Sequence, residues 1–199
     1  MWADEDVTRT QWIERALAIG AGLASGAMLL GGLAQPAASS PSRTQDVAVL
    51  NFVLAFEQLQ ADFYARALRS GALEPGWLQF VQTAGAHERA HVAFLRRTLG
   101  GDANPSPHLE LTRAPAGARE FQRLAVTLED IGVALYDGQA GNLTAGSLAA
   151  ASQIMSVESR HAAWARALAG EPPAPVASDE LADAAQVRER LAQAGVSVG

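Results

Sequence analysis

Cysteine is absent from the chain, which excludes disulfides, thiolate metal sites, iron–sulfur clusters and a rubredoxin-type module together. Any metal site must therefore be built from oxygen and imidazole ligands. An excess of basic residues is missing too. With 15 Lys and Arg against 21 Asp and Glu, the formal charge is −6, the reverse of the basic stripe that a nucleic-acid surface needs. Aromatic residues are scarce at 6%, and β-branched runs are few, so the 49% apolar share rests largely on alanine and leucine. These residues lose little side-chain entropy in a helix, and the composition points to an all-α protein. A length of 199 residues fits one domain with flanking segments.

Charge is also absent between Arg15 and Arg43, where the chain is mostly Ala, Gly and Leu before it reaches Ala37, Ala38, Ser39 and Ser40. A polar start, an apolar run and a small-residue end have the layout of an export signal. The run is also just long enough for a retained membrane anchor helix. Thr8-Arg9-Thr10-Gln11-Trp12-Ile13 resembles a twin-arginine signal, except that Thr10 stands at the second arginine and Asp4, Glu5 and Asp6 make the start acidic. Residues 1–40 are thus read as an export signal or anchor, and the rest as extracytoplasmic, in the periplasm or cell envelope. Membrane contact is expected only through this N-terminal segment.

Downstream, apolar residues recur at helical spacing over residues 44–70, where Leu50, Val53, Leu54, Leu59 and Phe63 share a face with Glu57. A second helix is expected over 75–99, opened by Pro75 and stopped by Gly100 and Gly101. Residues 102–115, rich in Pro, Asn and Ser, read as a long crossover loop. Further helices are expected over 116–139 and 144–169, with Gly170, Pro172 and Pro173 as stop signals. One long connection between helices two and three, flanked by short ones, is the wiring of an antiparallel four-helix bundle over 44–170. The tail, 171–199, carries a short charged helix near 178–194, expected to pack on the outside of the bundle or to fray.

The chain repeats itself. Phe56-Glu57-Gln58-Leu59 parallels Leu128-Glu129-Asp130-Ile131, and a tyrosine follows each glutamate at the same interval, Tyr64 and Tyr136. Glu88-Arg89-Ala90-His91 parallels Glu158-Ser159-Arg160-His161, and a glycine follows each at the same interval, Gly100 and Gly170. Two hairpins related by a pseudo-two-fold axis would make these groups face one another. Residues three apart share a helix face, so Glu88 with His91, and Glu158 with His161, can address one point. With Glu57 and Glu129 the set is four carboxylates and two imidazoles, enough to satisfy two divalent ions. Buried without cations, such glutamates would cost several kcal/mol each or take up protons.

These segments resemble the ferritin-like superfamily of di-metal carboxylate proteins, and in particular exported bacterial ferritin-like domains of the desiccation-related type. The resemblance is carried by residues 49–64, by His87-Glu88-Arg89-Ala90-His91-Val92-Ala93-Phe94-Leu95, by Glu129, and by Glu158-Ser159-Arg160-His161. It covers about residues 46–169 and implies a ferritin-like bundle. It also implies that Glu57 and Glu129 are terminal ligands, that Glu88 and Glu158 bridge, and that His91 and His161 each cap one metal. Gln60 departs from relatives that carry a second glutamate there, and Gly132 occupies the equivalent place on the third helix. That departure disfavours a rubrerythrin-type peroxidase.

Several residues carry two readings. Tyr64 and Tyr136 read first as core aromatics with satisfied hydroxyls, and alternatively as hydrogen-bond or redox partners of the site. Gly132 either leaves room for a small oxidant or permits close helix packing. Asp62, Asp130 and Asp137 read as solvated-face residues, and Trp77 and Trp164 as packing residues. His87-Glu88-Arg89-Ala90-His91 is also a literal HExxH, the zinc-peptidase signature, with Glu110 as a third ligand. That reading leaves Glu57, Glu129, Glu158 and His161 idle.

The ligand set suits two divalent ions, iron or manganese, with zinc open through imidazole affinity. The expected function is oxidoreductase chemistry on dioxygen or peroxide (ferroxidase, peroxidase or catalase-like) in a stress role. The alternatives are a metal-binding or stress-protection bundle without turnover and, more remotely, the peptidase. Partners are metal ions and small oxidants, with no nucleic acid, and a homodimer is compatible with the reading.

Overall fold

A computed structural model describes residues 40–104, 109–112 and 114–198. The expected export or anchor helix lies outside these residues. Among the described ones, no helix is long and apolar enough to cross a membrane. Helix α1 spans Arg43–Ser70 and α2 spans Pro75–Leu99. After a single 3-10 turn, Gly100–Asp102, come strand β1, Leu109–Leu111, and helices α3, Ala118–Ala140, and α4, Ala145–Leu168. The apolar face read from the first segment is the one that packs: Leu50, Val53, Leu54, Leu59 and Phe63 are all buried. α1 packs on α2 and α3 on α4, and the hairpins meet through α1–α3 and α2–α4 contacts, so the core lies along the axis of a four-helix bundle. Trp77 is buried in it and Trp164 is partly buried against it.

The two hairpins are also tied at one end. The N-terminus of α4 has no cap from its own Thr144 side chain. Asp46 of α1 supplies one instead, accepting hydrogen bonds from Thr144 N at 2.8 Å, Thr144 Oγ1 at 2.6 Å and Ser147 Oγ at 2.8 Å. Burial pushes the Asp46 carboxyl up, but these hydrogen bonds and the nearby Arg43 outweigh it and leave the pKa below its ordinary 3.8. Its contribution to stability is therefore present above pH 3.8 and lost as pH falls through the folded value. Asp46→Ala is expected to cost about 1–3 kcal/mol in urea unfolding at neutral pH. A loss within measurement error would show that the cap does not hold the hairpins together.

Of the two outcomes expected for the tail, the structure shows the first: its helix packs on the outside of the bundle. Its helix α5, Ala184–Gln193, starts later than expected because Asp183 forms a capping box with Gln186. Ala182, Val187 and Leu191 are buried, and α5 packs on α3. Ala182 N donates to Ala134 O at 3.2 Å, and Gly138 lies directly beneath the Ala182 backbone. Strand β2, Val196–Val198, pairs antiparallel with β1, so the segment expected to be a plain crossover loop contributes to a ribbon. A three-residue strand is too short to show a period-two pattern, and its partner lies at the far end of the chain.

Candidate metal centre

Each helix of the bundle delivers acidic or imidazole groups to one point inside it. α1 supplies Glu57, α2 Glu88 and His91, α3 Glu129, and α4 Glu158 and His161, and all six are buried. They form two overlapping groups: Glu57, Glu88, His91 and Glu158, and Glu88, Glu129, Glu158 and His161. Within each group the donor atoms all lie within 4.8 Å of one another. Glu88 and Glu158 belong to both. His91 Nδ1 lies 3.1 Å from Glu57 Oε2, 3.0 Å from Glu88 Oε2 and 3.2 Å from Glu158 Oε1. His161 Nδ1 lies 3.0 Å from Glu88 Oε1, 3.7 Å from Glu129 Oε2 and 3.8 Å from Glu158 Oε1.

This geometry agrees with what comparison of the sequence with protein families finds: residues 45–171 match the ferritin-like domain. The chain belongs to the ferritin-like domain family. No curated protein matches it.

The ferritin-like domain leaves donor atoms in its interior short of hydrogen bonds. Both oxygens of Glu158, Glu88 Oε1, Glu129 Oε2 and His161 Nδ1 are buried without a well-formed one, and their close neighbours are other members of the cluster: His91 Nδ1 at 3.2 Å from Glu158 Oε1 and His161 Nδ1 at 3.0 Å from Glu88 Oε1. Buried carboxylate oxygens short of hydrogen bonds are costly in a native interior. Four such oxygens and one imidazole nitrogen, among the described residues and around a shared point, fit divalent cations. These buried groups can hold metal ions.

The tyrosines cross between the hairpins. Tyr64 of α1 donates its hydroxyl to Glu129 Oε1 of α3, and Tyr136 of α3 donates to Glu57 Oε1 of α1 at 2.6 Å. Their hydroxyls are satisfied, as the simpler reading expects, and the satisfying groups belong to the cluster itself. Burial, then the charge of the partner glutamate, raises both phenol pKa values well above 10, so each stays a donor at neutral pH.

Gly132 faces the cluster. A Cβ there would lie 3.2 Å from Phe56 Cε1 and 3.3 Å from Glu158 Oε2, so the glycine serves close packing. Gln60 is fully buried, and neither its amide nitrogen nor its oxygen finds a partner among the described residues. His87 is in neither four-residue group, although the HExxH reading pairs it with His91 on one ion. Its Nδ1 lies 2.9 Å from Nε2 of His161 instead. Asp130, read as a solvated-face residue, is half-buried and pairs with Arg166 of α4 at 2.7 Å. Asp62 is exposed.

Without cations the cluster holds protons. Burial, then the neighbouring Glu57, drives Glu88 well above the usual carboxylate range; burial, then Glu88, does the same to Glu158. Glu129 is pushed up to about 8 by burial and then by Glu158. The imidazoles move in opposite directions. Burial opposes the His91 cation, but the close carboxylates of Glu158, Glu57 and Glu88 outweigh it and carry the pKa to about 12. Burial lowers His161, helped by repulsion from His91, against the attraction of Glu129 and Glu57.

The pH dependence of the metal-free protein follows. The raised carboxyl groups contribute stability that is fully present below their ordinary 4.5 and lost as pH rises through the folded values, about 8 for Glu129. His91 acts in the same direction above its ordinary 6.5, while His161 is neutral in both states there. Metal-free protein is therefore expected to lose stability from about pH 7 to about pH 8.5, by on the order of 1.4 kcal/mol per pH unit for each retained proton. Urea unfolding across that range tests this, and a flat or rising profile contradicts it.

Proposed function

We propose that this ferritin-like domain holds two iron or manganese ions and uses them for redox chemistry on dioxygen or peroxide, outside the cytoplasm. One observation supports the reading above the others: two donor groups share Glu88 and Glu158, and buried oxygens short of hydrogen bonds lie around their common centre. Glu57 and Glu129 are the outer ligands, Glu88 and Glu158 the shared ones, and His91 and His161 one imidazole for each position. A bound ion pair supplies the electrons, and the open coordination positions, that reduction of dioxygen or disproportionation of peroxide requires.

The chain's own residues set the conditions for that chemistry. Tyr64 and Tyr136 hold the outer carboxylates by hydrogen bonds from the opposite hairpin and so fix their angle of approach. Phe56 and Phe80, both fully buried, help keep bulk water from the ligands. The apolar N-terminal segment and the resemblance to exported relatives support the extracytoplasmic, stress-related assignment.

The test loads metal-free protein with iron(II) under nitrogen and then admits air, following dioxygen uptake and iron(II) loss together. A parallel sample loaded with manganese(II) receives peroxide while oxygen evolution is recorded. Turnover in either arm above that of free metal supports the redox reading. Two tightly bound ions with no turnover in either arm overturn it in favour of a binding-only bundle, and absence of binding overturns both.

A further inference from the structure

The internal repeat is broken at one position beside the cluster. In α2 the residue before Glu88 is His87, whereas in α4 the residue before Glu158 is Val157. His87 is exposed, yet its ring lies across the gap from α2 to α4 and meets the ring of His161 edge to edge, with centroids 5.2 Å apart and planes 15° apart. Its Nδ1 is 2.9 Å from Nε2 of His161. His161 thus spans two environments: Nδ1 faces the carboxylates and Nε2 faces His87. Among the described residues, His91 makes its hydrogen bonds through Nδ1 alone, and Val157, the counterpart of His87, has no side-chain acceptor to offer.

An imidazole that binds a cation through Nδ1 carries its proton on Nε2, and an acceptor for that proton fixes the tautomer, holds the ring in plane and raises its ligand strength. His87 Nδ1 is placed to be that acceptor. We infer that His87 is a positioning residue that makes the two metal positions unequal, so that a divalent transition ion binds more tightly among Glu88, Glu129, Glu158 and His161 than among Glu57, Glu88, His91 and Glu158. This rests on the proposed two-ion function and adds an order of filling to it.

The probe is cobalt(II), titrated into metal-free full-length protein by calorimetry with the visible absorption followed in parallel. Wild type is expected to bind in two steps, of which His161→Ala removes the tighter and His91→Ala the weaker. His87→Ala, and His87→Phe, which keeps a ring but loses the acceptor, should weaken the tighter step about 10–100-fold and leave the weaker within about 3-fold. His87→Asn, whose amide oxygen can stand in for Nδ1, should restore the tighter step to within about 3-fold of wild type. Equal wild-type steps, equal weakening of both, no weakening, or an Asn variant as poor as Ala each overturns the inference while leaving the two-ion reading intact. Wild type that takes up no cobalt overturns both.

Discussion

Glu158→Gln is expected to empty both metal positions at once, and Glu88→Gln to do the same, while His91→Ala and His161→Ala each leave one ion bound. The shared carboxylates belong to both four-residue groups, so neutralising one removes a donor and a negative charge from each position. The nearest basic groups to Glu158 Oε1 are the imidazoles of His91 at 3.2 Å and His161 at 3.8 Å, themselves members of the two groups, so the substitution disturbs both positions. Metal content per chain after dialysis should fall from about two ions to nearly none. The same variant should move metal-free stability the other way. Burial already drives Glu158 toward its protonated form, and a neutral amide removes what charge remains, for an expected gain of about 1–3 kcal/mol at mildly alkaline pH. A residue needed only for packing would lower both quantities. Retention of one ion by Glu158→Gln would show that the carboxylate is not shared.

Gly138→Ala is expected to release the C-terminal tail. A Cβ at this position would fall inside the Ala182 carbonyl, 2.6 Å from its carbon and 2.8 Å from the Ala182 nitrogen, and backbone cannot rotate aside as a side-chain end can. Relief requires the tail to lift, which breaks the Ala182 N to Ala134 O bond and exposes Val187 and Leu191. Re-exposing those two side chains alone costs about 3–6 kcal/mol at the usual burial values, an upper bound because the free tail can collapse elsewhere. The alanine returns about 1 kcal/mol of helix propensity. Limited proteolysis should then cut the tail in the variant well before the wild type, while metal content stays unchanged. Equal protection of the two tails would mean that the helix and tail accommodate a methyl group there.

Helices α1 to α4 were legible because their information is local and strong. Pro75 and the glycine stops mark ends, and the Leu50 to Phe63 face marks the core side. The convergence of Glu57, Glu88, His91, Glu129, Glu158 and His161 was legible for another reason: the repeat pairs each group with a mate, and only docked hairpins bring the mates together. Features that depend on pairs far apart in sequence left no such trace. Nothing near Asp46 announces that it caps a helix starting at Ala145, and nothing near Leu109 announces Val198. The crossing of Tyr64 to Glu129 is equally silent, since in the sequence each tyrosine follows the glutamate it does not serve. His87 did leave a trace. Its lone appearance beside one Glu-x-x-His and not the other is a sequence fact, but assigning it a neighbour required the α2–α4 geometry.

The exchanged tyrosine bonds bear on how such a molecule could be divided. A polypeptide cut within the connection between α2 and α3 would yield two pieces, each holding a phenol whose acceptor travels with the other piece. Neither fragment is self-sufficient, and one could complete its own set only by meeting the other or a copy of itself turned about a dyad.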